Sequence, residues 1–514
     1  MSTLTSTGCG GGPSVRSATT ETAAEALEWF RTLDARYEAF RQPIAAFRWR
    51  QLGGPDEGAA PNFAEAKKAE ANFLNDAELD LRLAALEKHK APAIAALARA
   101  WRQLRQRYGV LDAPSVRALQ TRLDHALAGP PGSVSADRGE RWLSAGADAK
   151  GRTDALRAIA KRTAAALPLL IERARRLDTI ARNRGTRDYP DLATGLPLKG
   201  ALSGIEQQCS LNLGQTQAAW RALMTRGAAK LGRQPHEGDF QSLTESWLGE
   251  TSSWMTQQAV HEALGNTLTT WGLMRGPLPS AVEAQGQGPE GARVVAVAAP
   301  NDVRIIGRFP DGYLGARAWA RGMARVVYAR TIDQQHQPYR QLPHSEALVE
   351  GFSNLVASLL RDPQWLRQAF PTVDPGLIQG HLDAVAAYEA WSLRQTCLLA
   401  RLELEAHTDR DLVTRHRQIF DESFGQLPMA PPAWLSPALM RQPLAAWSQV
   451  VGRHVGDVLL SRVGDRPMAD ADVGRWLRLG LLSKGNRLTL TQVLDPKVSP
   501  TLQQWLTIQS TTGS

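Results

Sequence analysis

Cysteine is scarce: the 514 residues hold three, at positions 9, 209 and 397, with no CxxC pair and no cluster with histidine. That excludes a disulfide framework and a zinc ribbon or finger. Cys209 and Cys397 read instead as buried apolar thiols, with a single bridge between them as the lesser alternative. Signature motifs are missing as well. There is no GxSxG nucleophile elbow, no GxxxxGK(S/T) phosphate loop and no GxGxxG after a strand, so the chemistries those motifs carry are not indicated. No stretch of about 18 apolar residues occurs, and a membrane-spanning helix is not supported. Lysine is sparse too. Of 60 basic residues 10 are lysine and 50 arginine, which reads as the coding bias of a GC-rich genome rather than as a binding code.

What the chain does have is apolar material and interleaved charge. At 43% hydrophobic residues it can bury a large core. The net charge of +9 is spread among acids, as in Glu172-Arg173-Ala174-Arg175-Arg176-Leu177-Asp178, so solvated helix faces are expected and nucleic acid is not expected as a partner. Weak attraction to anionic surfaces or acidic peptides remains consistent with this charge. The 15 tryptophans, at helical spacing, read mainly as core. His261-Glu262-Ala263-Leu264-Gly265 carries the first half of a zinc-peptidase motif with Gly at the second histidine position, and reads as an ordinary helix face.

Residues 1–20 are rich in Gly, Ser and Thr and are expected to form a disordered tail. Within it, Gly8-Cys9-Gly10-Gly11-Gly12 resembles the lipidation region of a bacterial lipoprotein, which suggests a lipid anchor at Cys9 and a periplasmic or cell-envelope location. The apolar stretch expected upstream of such a cysteine is not in the sequence, and a plain tail on a cytoplasmic chain is the alternative. From Glu21 onward apolar residues recur at three- and four-residue steps, as Ala26, Leu27, Phe30, Leu33 and Tyr37 do, predicting helices over 21–50, 63–109, 114–128, 151–183, 201–231 and 240–273. The region 293–306 departs from that pattern. Two β-branched runs, 293–297 and 302–306, flank Ala299-Pro300-Asn301 and predict a short hairpin whose edge could pair with extended substrate.

The stretch Asp302-Val303-Arg304-Ile305, the following helix over 311–330, and Val349-Glu350-Gly351-Phe352-Ser353-Asn354 running on to Asp362-Pro363 resemble the helical gluzincin peptidases. That superfamily includes angiotensin-converting-enzyme-like dipeptidases, oligoendopeptidase F and carboxypeptidase Taq. Weaker similarity covers 21–50, Ala181 to Tyr189, Pro443 to Leu460 and Arg475 to Leu494, without transferable roles for Trp447 or His454. The resemblance implies a mainly α, two-lobed fold around a deep channel, with one small β-sheet near the active site. It divides the chain into the tail at 1–20, an N-terminal helical region at 21–290 and a catalytic-like region at 291–510.

The same resemblance implies that HExxH should stand where the chain reads Arg321-Gly322-Met323-Ala324-Arg325. Two guanidiniums offer no lone pair and repel a dication, and Gly322 supplies no general base. Glu350 corresponds to the third zinc ligand, and Asn354 to an acid that orients a ligand histidine. The expectation is therefore a catalytically inactive homologue, a pseudopeptidase without cofactor. Its cleft would bind a peptide or protein partner through Arg304, Arg321, Arg325, Glu350 and Asn354, with Glu350 paired to Arg321 or Arg325. One alternative is an active hydrolase with zinc held by a rebuilt site of His336, His344, Glu346 and Glu350. Another is a purely structural lipoprotein.

Overall fold

The computed structural model describes residues 21–55, 62–130, 149–274, 281–283, 291–331, 345–425, 427, 442–464, 470–483 and 490–495. Cys9, His336 and His344 lie outside them. The architecture is mainly helical, as the periodicity predicts, with one small sheet. The N-terminal half runs α1 (Ala23–Gln51), α2 (Phe63–Leu74), α3 (Ala77–Leu86), α4 (Pro92–Leu111), α5 (Pro114–Ala128), α6 (Ala149–Asn183), α7 (Tyr189–Thr194), α8 (Leu198–Gln215), α9 (Gln217–Leu231), α10 (Phe240–Thr251) and α11 (Gln257–Thr270). After strands β1 (Ala281–Glu283), β2 (Arg293–Ala298) and β3 (Asp302–Gly307) come α12 (Tyr313–Thr331), α13 (Ser345–Ser358), α14 (Pro363–Ala369), α15 (Pro375–Glu405), α16 (Leu412–Phe424), α17 (Ala445–Val463), α18 (Ala471–Trp476) and α19 (Leu490–Leu494).

Local chemistry sets several of these boundaries. The Thr22 hydroxyl accepts the Glu25 N–H at 3.3 Å while the Glu25 carboxylate accepts the Thr22 N–H at 2.8 Å, a reciprocal cap that starts α1. Asp362 and Asp374 cap α14 and α15, each followed by proline in the first helical turn, where a missing N–H costs nothing. The long runs expected over 63–109, 201–231 and 240–273 are each broken. Asn75–Asp76, Thr216 and Ser252 end one helix, and side-chain oxygens at Asp76 and Thr256 cap the next after two of these breaks.

The sheet has the order β1-β3-β2, with β1 parallel and β2 antiparallel to β3. The expected hairpin of 293–297 and 302–306 forms, as β2 and β3, but its 302–306 edge is not open to substrate: β3 is the middle strand, and β1 occupies its other edge at Ile305, Ile306 and Gly307. Both faces of β3 are covered. Ile306 packs with Ala45 and Trp49 of α1, while Ile305 packs against α12, and neither is exposed to solvent. The approach of α12 is close because residue 322 is glycine. A Cβ there would stand 2.4 Å from Ile305 Cδ1 and 2.6 Å from Ala292 Cβ.

The helix carrying Glu350 is clamped in the same way from the other side. A Cβ on Gly452 of α17 would lie 2.3 Å from the Glu350 Cβ, and one on Gly456 would lie 2.9 Å from the Asn354 Cβ. Two glycines four residues apart let α17 lie directly on α13, which fixes where Glu350 and Asn354 emerge. Cys209 and Cys397 are buried free thiols on α8 and α15.

Candidate functional site

Arg317, Arg321 and Arg325 are spaced four apart on α12 and so share one face. Like charges at that spacing repel on an isolated helix, so the row needs anions opposite it. Glu350 on α13 supplies the first. Arg321 donates through Nη2 to Glu350 Oε2 and through Nη1 to Asn354 Oδ1, while Arg325 donates through Nη2 to Glu350 Oε1. Each carboxylate oxygen thus takes one guanidinium, and Arg321 spans one turn of the facing helix. The side chains of Glu350 and Arg321 are 8% and 19% exposed, whereas that of Arg325 is 43% exposed and forms the open end. Burial, and then the Arg317 charge, hold the Arg321 guanidinium below its usual range.

A second carboxylate, Glu389 of α15, completes the cluster. It accepts Arg361 at 3.3 Å, the Tyr313 hydroxyl at 3.3 Å and an Arg453 N–H, and Arg317 stands 3.8 Å away. Arg361 and Arg453 also reach Asp457, at 3.5 Å and 3.2 Å. Burial opposes ionisation of Glu389, yet Arg453, Arg361 and Arg317 together outweigh it and hold its carboxyl well below the usual range. Arg453 is held above its own range, because Glu389 and Asp457 outweigh its desolvation.

Arg304 does not join this group. Asp302, Arg304 and Ile306 alternate onto the α1 face of β3, opposite α12, and there Arg304 donates to both Asp302 oxygens at 2.7 Å over the Trp49 ring. Glu346, one turn before Glu350, meets Gln442 at 3.3 Å and Arg107 at 3.8 Å instead. His261 lies against Trp319, with ring centroids 4.5 Å apart. Trp447 is core, and its backbone N–H donates at 2.8 Å to Glu403, whose carboxyl burial pushes up to about 8.

Among the described residues, the donors around Glu350 do not suit zinc, and His336 and His344 of the rebuilt-site alternative lie outside these residues. Both oxygens of Glu350 are engaged by cations, and among the described residues no group of three or more His, Cys, Asp or Glu converges. Nor can residue 322 supply a general base from this position, since the space a side chain would need is filled by Ile305 and Ala292. Sequence reasoning located Arg321, Arg325, Glu350 and Asn354, which the fold brings together. It missed Arg317, Arg361, Glu389, Arg453 and Asp457. Only Arg317, one turn before Arg321, left a readable signal. No protein-family model matches the chain, and no curated protein matches it.

Proposed function

We propose that the protein is a pseudopeptidase: a catalytically inactive relative of the helical gluzincin peptidases that binds a peptide or partner protein in a cleft between two helical lobes. The observation that carries this reading is the double ion pair of Arg321 and Arg325 on Glu350. At the positions that the resemblance assigns to three metal ligands, each Glu350 oxygen is held by one guanidinium, which supports a site that needs no metal. Removing one partner of such a buried set is what destabilises it, which is a reason for the three residues to stand together. Arg325, the most exposed member, is the contact offered to an acidic group of the ligand, because a guanidinium fork matches a carboxylate in two-point geometry.

The reading is tested by fluorescence polarisation of an acidic peptide library on the wild-type protein and on Arg325→Ala. Saturable binding that weakens roughly tenfold or more in the variant is expected, the loss typical of one charge-assisted hydrogen bond. Binding absent in the wild type, or equal in both proteins, would overturn the cleft chemistry.

A further inference from the structure

The two carboxylate centres on either side of the α12 row are one electrostatic unit, and its charges do not balance. Arg317 and Arg321 are adjacent turns of one helix, and Arg321 feels Glu389 as well as its own partner Glu350. Among the described residues, five guanidiniums, of Arg317, Arg321, Arg325, Arg361 and Arg453, face three carboxylates, of Glu350, Glu389 and Asp457. Other charged groups near the unit are Arg293, Arg107 and Glu346 at the Arg325 end. His454 lies near Asp457, and burial shifts it toward the neutral form. Glu346 is the one carboxylate among these, and Arg107 stands 3.8 Å from it, so among the described residues the excess of positive charge remains.

Exposure is graded across the unit. Arg317 and Arg361 are both 26% exposed, and both are anchored on the same carboxylate, Glu389. Their approaches to it are long, an ion pair at 3.8 Å for Arg317 and a hydrogen bond at 3.3 Å for Arg361, compared with the closer contact of Arg453. An arginine presents five N–H groups in a planar fork, and three protein carboxylates leave many of these donors for an outside acceptor. We infer that the unit is a binding site for a small dianionic oxyanion group, seated between Arg317 and Arg361 and balancing the excess of two positive charges. The inference rests on the reading of this cluster as the ligand site, and it names the class of group that the ligand presents. A free anion such as phosphate or a dicarboxylate, and paired acidic groups on a peptide, share this chemistry.

Isothermal titration of the full chain with inorganic phosphate and with succinate tests it, against chloride and acetate at matched ionic strength. One equivalent of dianion is expected to bind, with the monoanions at least tenfold weaker. Arg361→Gln and Arg317→Gln are each expected to lose roughly ten- to a hundredfold, the range for a hydrogen bond to a charged group. Should either variant fail to fold, Arg325→Gln serves in its place and is expected to lose less, as a more exposed and better-screened charge. Dianions binding no tighter than monoanions, or variants binding as the wild type does, overturn the inference. Peptides that bind in the polarisation assay without preference for paired acidic groups overturn it while leaving the pseudopeptidase reading intact. Dianion binding with no peptide binding supports it, identifies a free anion as the source, and removes the peptide reading instead.

Discussion

Glu389→Gln is expected to lower the free energy of unfolding by about 3–5 kcal/mol, the range for breaking a buried ion pair by removing one partner. Glutamine keeps the shape of the side chain and a hydrogen-bond acceptor, so the loss isolates the charge. Arg317, Arg361 and Arg453 would then converge on a neutral amide, with Asp457 left as a carboxylate for Arg361 and Arg453. Four elements meet there, since α12, the turn at Leu359–Arg361, α15 and α17 each contribute a group. Glu350→Gln is expected to cost less, because Arg325 at 43% exposure can turn to water. Urea unfolding followed by circular dichroism measures both. A Glu389→Gln penalty under about 1 kcal/mol, the scale of an exposed pair, would show that the cluster is solvent-screened and not a buried network.

Gly322→Ala is the second large effect, and two principles give it opposite signs. Helix propensity alone favours alanine over glycine in a helix interior by about 1 kcal/mol. Packing opposes it, because the new Cβ would stand 2.6 Å from the Ala292 Cβ, which has no rotamer to move, and 2.4 Å from Ile305 Cδ1. Overpacking of a filled core costs typically about 1–3 kcal/mol, so a net loss is expected. Gly322→Glu adds a buried carboxylate and should lose more, even alongside Arg321→His and Arg325→His. Unfolding midpoints of the two single variants decide the matter. A stabilised Gly322→Ala would mean that α12 does not rest on β3 as described.

Much of the fold was legible because its elements rest on local signals. The row at Ala26, Phe30, Leu33 and Tyr37, at steps of three and four, is buried in α1 as the periodicity requires, and the β-branched runs at 293–297 and 302–306 form strands. β1 was not legible, since three residues are too short for an alternating pattern and parallel pairing is fixed by tertiary contact. The same divide runs through the site. Arg321, Arg325 and Glu350 were singled out through the resemblance to the helical gluzincin peptidases, which sets the three positions on two neighbouring helices. Glu389, Arg361 and Arg453 come from segments far apart in the chain, and nothing in a single sequence says that α15 and α17 close over α12. Arg304 was misplaced for a simpler reason. Strand parity sends it with Asp302 and Ile306 to the α1 face, so its nearness in sequence to Ile305 says nothing about nearness to α12.

Under the pseudopeptidase proposal, arginine–carboxylate pairing stands where the resemblance would put a metal. Elemental analysis of the purified protein after dialysis against buffered zinc tests it most directly. Zinc far below one equivalent, with no difference between the wild type and Glu350→Gln, is the expected result. One equivalent of zinc in the wild type, lost in Glu350→Gln, would contradict it and return Glu350 to the role of a metal ligand.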